Sequence, residues 1–254
     1  MSGNYDRIAR FYDVDMALNM AFDDVRFYAA LCQRKPGSVL ELGCGNGRIL
    51  LQLLSHGIDA IGVDASSAML RELRQRAASQ SLSAPVCQMD VRALAFRPGF
   101  DVILCPYSLV TYLTSDEDLV RLLVGARGIL KRDGLLIVDA FVPRPVIRQV
   151  EFRPDYRRPY GEHFLARSKR IAPLGRGVNR IERRYQVITA GGELLDQVDI
   201  AEDIRPFQPN ELRDRLADAG FSIDEIWWDY TLPEARADAQ FFTIIARAPA
   251  AAGC

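Results

Sequence analysis

A chain of 254 residues, 49% apolar and 26% charged, has a globular composition and is long enough for one large α/β domain or a core with an insertion. Its net charge of −1 gives no overall field to draw in nucleic acid or an anionic membrane. No apolar run approaches the roughly 18 residues of a membrane span, and the charge-rich first twenty residues lack a signal-peptide core.

The expectation is therefore a cytoplasmic protein with no nucleic-acid or membrane partner. Cys32, Cys44, Cys87, Cys105 and Cys254 form no CxxC pair, and His56 and His163 are the histidines, so no metal site is expected. Cys87 and Cys105 lie in apolar runs and are expected in the core.

Apolar runs alternate with helical patterns from residue 38 to about 140. SVLEL, DAIGVD, APVCQM, DVILCP and LLIVDA read as strands buried on both faces, as in a parallel sheet. The first helix, RILLQLLSHG, ends at Gly57. The second, SSAMLRELRQRA, starts at capping Ser66 or Ser67, and Ser115 with Asp118 forms a capping box for the third. Such alternation predicts a doubly wound sheet.

Residues 143–162, dense in proline and charge, read as irregular. Residues 164–205 read as antiparallel strands, with a hairpin at Gly191-Gly192. A helix follows from Pro209 to Gly220, and FSIDEIWW and FFTIIARA form a last antiparallel pair. Trp227 and Trp228 are adjacent and so face opposite sides; one is expected in the core, the other over a pocket or interface.

VLELGCGNGR, residues 39–48, leads from strand to helix with Gly43, Gly45 and Gly47 spaced two apart. Ligands of open α/β sheets bind at such a crevice. The loop lacks the lysine and hydroxyl of a P-loop, and Arg48 stands where a dinucleotide fingerprint has its last glycine.

With Glu41 two residues before the first glycine, the loop resembles the first motif of the S-adenosylmethionine-dependent methyltransferases with a Rossmann-like fold. IGVDAS, CQMDVR, FDVILCPYSLVTYL, LKRDGLLIVDAF and PNELRDRLADAGFSIDEI resemble their later segments in order and spacing. The resemblance implies a mostly parallel seven-stranded sheet with an antiparallel last strand and a β-rich insertion before the last two strands. It implies S-adenosylmethionine as cofactor and S-adenosylhomocysteine as product. It also implies an N-terminal helical lid over residues 1–36, a cofactor-binding core over 37–142 and 206–250, and an insertion over 143–205 that serves the acceptor pocket or a dimer contact.

Under the same resemblance, Gly43, Gly45, Asn46 and Gly47 let the backbone lie against the methionine tail, and Glu41 holds its ammonium directly or through the loop. Asp64 accepts the ribose hydroxyls. Asp90 takes the adenine amino group, Met89 and Val91 flank the ring, and Ala65 and Met69 cover its other face. Each has a plainer alternative: Asp64 as a helix cap, Asp90 as a turn residue, the methionines as core.

YDRIARFYDVDMA resembles the lid of glycine and aminosugar N-methyltransferases, with Tyr12 over the cofactor and Tyr5 read as packing. Pro106, Tyr107 and Thr111 are expected near the transferred methyl group, and Tyr112 in packing. His163 and Asp139 are the candidate bases. Six insertion arginines, among them Arg167, Arg170, Arg180, Arg183 and Arg184, form either an anion-binding surface or a face paired with acids. The expected reaction is methyl transfer to a small-molecule amine. O- or C-transfer, non-methylating cofactor binding and nicotinamide-dependent oxidoreduction are the alternatives.

Overall fold

The computed structural model describes residues 2–17, 22–231, 233–236 and 238–249. The expected lid residues 1 and 18–21, core residues 232, 237 and 250, and Cys254 lie outside them. The chain opens with helix α1 (Ser2–Ile8), a tight turn over Ala9–Phe11, and helices α2 (Tyr12–Met16) and α3 (Asp24–Arg34). Strand and helix then alternate: β1 (Val39–Leu42), α4 (Leu50–Ser55), β2 (Ala60–Asp64), α5 (Ser67–Ser79), β3 (Val86–Gln88), β4 (Phe100–Cys105), α6 (Asp116–Ile129) and β5 (Leu130–Phe141). Four strands follow, β6 (Arg153–Tyr160), β7 (His163–Gly175), β8 (Val178–Ile188) and β9 (Leu194–Ile204). Helix α7 (Pro209–Asp218) and strands β10 (Ser222–Trp228) and β11 (Phe241–Arg247) complete the fold.

Seven strands form one sheet in the order β10-β11-β5-β4-β1-β2-β3. All neighbours are parallel except β11, which runs antiparallel to both β5 and β10. Successive residues of the central strands point to opposite faces, and both faces are buried. Ile103 and Cys105 join the core beneath α6 and α7, while Val102 and Leu104 join the core beneath α3, α4 and α5. This is why those strands read as unbroken apolar runs. Strand order reverses between β1 and β4, which opens a crevice at their carboxyl ends.

Local chemistry sets the helix ends. The Ser66 hydroxyl accepts from the Met69 amide, and Ser115 from that of Asp118, as the capping reading requires. Pro209 opens α7, and Gly220 ends it at a φ of +89° that an L side chain resists.

The second sheet, β6-β7-β8-β9, is antiparallel throughout. One face packs on the lid: Ile8 and Phe11 share a core with Leu165, Tyr185, Val187, Val198 and Ile200. The β8–β9 hairpin turns at Gly191-Gly192 as expected.

Three expectations are corrected. Residues 153–160 are the edge strand β6 rather than irregular chain. Its prolines Pro154 and Pro159 masked the pattern, and an edge strand tolerates them because one side needs no ladder bond. Cys87 is exposed, not core, because β3 is a short edge strand with an open face. Neither tryptophan lines either cavity of the candidate site: Trp227 packs on Phe27 and Trp228 on Phe242, on opposite faces of the sheet.

Candidate active site

The glycine loop follows β1, and its three glycines are all left-handed, with φ of +66°, +53° and +87° at Gly43, Gly45 and Gly47. Their uses differ. A Cβ on Gly47 would lie 2.8 Å from Leu73 and 2.9 Å from Leu51, so this glycine lets α4 pack on α5. A Cβ on Gly45 would meet only a Tyr12 ring carbon, at 4.0 Å, so Gly45 faces open space. That space is a cavity of about 210 Å³.

Gly43, Gly45, Asp64, Ala65, Met69, Asp90, Val91 and Pro106 line it, together with Tyr12 and Tyr107. The Asp64 oxygens accept from the backbone amides of Gly45 (2.9 Å) and Ser66 (2.8 Å), which fixes the carboxylate at the end of β2 and leaves each oxygen a free lone pair. Burial raises its pKa against those two bonds. Arg92 clasps Asp90 at 2.6 Å, and this bond holds the Asp90 carboxyl below the usual carboxylate range.

Glu41 is the next-to-last residue of β1 and does not line this cavity. It is buried, its Oε2 has no hydrogen-bond partner among the described residues, and burial pushes its pKa up to about 8. This orphaned oxygen outside the cavity lining, a loop open at Gly45 and a wall whose cation, Arg92, is already bound to Asp90 fit a ligand that carries an ammonium and no phosphate.

A second cavity, of about 410 Å³, adjoins the first between the lid and the antiparallel sheet. Tyr5, Tyr12, Tyr107 and Tyr112 line both. The Tyr5 and Tyr112 hydroxyls lie 2.9 Å apart. Burial raises the pKa of all four phenols, so each stays protonated at neutral pH.

Several expected residues lie elsewhere. Asn46 and Gly47 line a cleft on the other side of the loop, where Asn46 donates to Asp13 of α2. Met89 packs against the core. Thr111 is buried and donates to the Ser108 carbonyl at 2.7 Å. His163 starts β7 opposite Tyr160 and lines neither cavity, because the β6–β7 turn carries it away.

Asp139 is fully buried and also lines neither cavity. It accepts from Tyr28, from Tyr230 (2.6 Å) and from the Ser108 amide (2.5 Å), which leaves no exposed edge for base chemistry. Tyr5, Ser66, Arg92, Leu109 and Tyr112 line the first cavity without having been singled out for it. Their signal was position: each sits within a few residues of a predicted motif or lid tyrosine.

Five of the six insertion arginines are paired, as the second of the two readings has it. Arg170 bonds Glu182, Arg180 bonds Asp203, Arg184 bonds Asp199, Arg183 bonds Glu202, and Arg167 bonds both Asp15 and Asp155.

A doubly wound sheet with this strand order and a glycine-lined cavity at its switch point fits a methyltransferase that uses S-adenosylmethionine. Residues 39–134 match the family described as a methyltransferase domain. Its fold is the Rossmann-like fold of S-adenosylmethionine-dependent methyltransferases. It is 24% identical over 248 residues to YqeM of Bacillus subtilis (strain 168), named only as a methyltransferase, covering 94% of this chain and 95% of that one. It is 24% identical over 208 residues to a glycine/sarcosine N-methyltransferase of Parasynechococcus marenigrum (strain WH8102), covering 80% and 70%.

Among solved structures it resembles an S-adenosylmethionine-dependent methyltransferase from Clostridium acetobutylicum ATCC 824, with a TM-score of 0.79 at 18% identity over 96% of this chain and 99% of that one. The sugar N-methyltransferase KedS8 from Streptoalloteichus sp ATCC 53650 gives a TM-score of 0.72 at 21% identity over 93% and 92%. No helix among the described residues is long and apolar enough to cross a membrane, and those residues hold no cluster of three or more metal-ligating side chains.

Proposed function

We propose that the protein transfers a methyl group from S-adenosylmethionine to an amine nitrogen of a small molecule. The cofactor supplies a methyl group on a sulfonium, already a good leaving group. In this reading Asp64 takes the ribose hydroxyls, Glu41 answers the ammonium, and Met69 and Val91 sandwich the adenine. Asp90 is already held by Arg92, so the apolar faces carry more of the adenine binding.

The observation that carries the acceptor class is the junction of the two cavities. It is lined by four tyrosines kept protonated by burial. These groups donate hydrogen bonds and orient; they do not remove a proton. The nearby carboxylates are committed, Asp15 to Tyr156, Arg167 and Tyr185, and Glu202 to Arg183. An acceptor here must attack without first losing a proton to the protein. A neutral amine does, and an apolar, aromatic surround favours the neutral form. An alcohol or phenol would call for a base near its proton.

Catalysis then comes from holding nitrogen, carbon and sulfur in line, where positioning is worth about 7–11 kcal/mol. The names of the glycine/sarcosine and sugar N-methyltransferase relatives support the same class.

The test is a panel of amines, phenols and hydroxy acids assayed for S-adenosylhomocysteine release, with the methylated atom assigned by mass spectrometry. Turnover confined to hydroxyl acceptors would overturn the N-methyl assignment. Cofactor binding without a methylated product would favour a non-methylating role.

A further inference from the structure

The acceptor cavity is unusual in its charges. Six ionised side chains line it: Asp15, Asp155, Glu202, Arg167, Lys169 and Arg183. Each cation faces an acid of the same wall. Arg167 lies between Asp15 and Asp155. Asp155 gives its other oxygen to Lys169 at 2.9 Å. Arg183 bonds Glu202 and also hydrogen-bonds Tyr112 at the junction with the cofactor cavity. The Arg167, Asp15 and Glu202 side chains are nine-tenths or more buried. The remaining lining is tyrosine faces and hydroxyls with Ile8, Met16, Phe141, Ile171 and Ile181.

We infer that this cavity selects amines whose remaining structure is uncharged, of hydroxylated or aromatic character, over the same amines bearing a carboxylate or phosphate. The inference rests on the N-methyl reading and narrows it.

The physical reason is that no cation of the wall stands ready for an anion. A substrate carboxylate reaching Arg183 has to displace Glu202, leaving that acid buried without its partner. One reaching Arg167 has to displace Asp15 or Asp155, and Asp155 is the shared anchor of two cations. A neutral substrate leaves every pair intact and still finds donors in the tyrosine hydroxyls. The pairs span the lid and all four strands of the insertion, so they also fix the cavity's shape: Asp15 belongs to α2, Asp155 to β6, Arg167 to β7, Arg183 to β8 and Glu202 to β9.

The experiment measures binding of matched acceptor pairs to protein loaded with S-adenosylhomocysteine, by calorimetry. Suitable pairs are phenethylamine and phenylalanine, glycinamide and glycine, and glucosamine and glucosamine 6-phosphate. The member of each pair that lacks the carboxylate or phosphate is expected to bind at least tenfold tighter. Glu202→Gln frees Arg183 and should narrow or reverse the gap for the carboxylate pairs by tenfold or more. Asp155→Asn, which releases Lys169, is the second variant and should do the same if the first fails to fold.

Equal or tighter binding of the carboxylate- or phosphate-bearing members by wild type overturns the inference. The N-methyl reading is judged separately, by which atom carries the methyl group in the product. An O-methylated product with neutral selectivity intact sinks that reading alone.

Discussion

Asp139 separates a structural carboxylate from a chemical one, and two substitutions test it. In Asp139→Ala the hydroxyls of Tyr28 and Tyr230 and the amide of Ser108 all lose their acceptor in a fully buried site. Each orphaned buried donor costs about 1–3 kcal/mol, so the sum is about 3–9 kcal/mol before any cavity is counted. At about 2–4 °C per kcal/mol for a chain of this size, a mid-range loss of about 5 kcal/mol lowers Tm by about 10–20 °C.

Asp139→Asn keeps the shape and one carbonyl oxygen for Ser108, while either phenol can turn to accept from the new amide. Burial raises the Asp139 pKa despite its donors, so the charge itself is not what stabilises the site. The Asn variant should therefore melt within about 1–2 kcal/mol of wild type. It should also retain turnover within a few-fold, because Asp139 acts by holding the turn at Tyr107 and Ser108, whose φ values are +53° and +60°. Calorimetric melting and S-adenosylhomocysteine release give both readouts. An Asn variant that melts like wild type but loses the ~10²–10⁴-fold in kcat typical of a missing base would refute the structural reading.

Asp64→Ala should weaken S-adenosylhomocysteine binding by about 1.5–3 kcal/mol per lost ribose bond, read by calorimetry; unchanged affinity in a folded variant would sink the ribose assignment. Glu41, with its pKa raised to about 8 by burial, gives two pH effects. The folded state binds this proton more tightly than the unfolded one, so the ligand-free protein should lose stability as pH rises from about 4.5 toward 8. Cofactor affinity should rise over the upper part of that window, since an ammonium prefers the ionised form, and Glu41→Gln should flatten both trends. Asp6 of α1 accepts from Ser66 Oγ (2.6 Å) and the Ala68 amide (3.0 Å), which ties the lid to the start of α5. Amide exchange across residues 2–16 should slow when S-adenosylhomocysteine binds and should quicken in Asp6→Ala; equal exchange with and without ligand would make the lid ordinary packing.

What the sequence disclosed follows from where the determining contacts lie. The parallel strands were legible because burial on both faces leaves no room for polar residues, and the glycine loop because its backbone needs left-handed φ at three positions. Asp64 was legible because the end of the second strand is a fixed place beside the switch point. Asp139 was not: its partners Tyr28 and Tyr230 lie 111 and 91 residues away, and only the assembled sheet brings them together. Tyr5 and Tyr112, 107 residues apart, are hidden for the same reason.

The insertion arginines are a different case. A hairpin turning at Gly191-Gly192 fixes the register of β8 on β9. In that register Arg180 faces Asp203 and Arg184 faces Asp199, the pairs that the structure forms. Arg183 instead faces Ile200 and reaches diagonally to Glu202. The direct pairs lie on the exposed side and affect the acceptor cavity little. The diagonal one lines it. A one-residue slip of this hairpin would turn Arg183 away from the cavity and leave Tyr112 without its cation, so the glycine pair that sets the turn also sets which charges the acceptor meets.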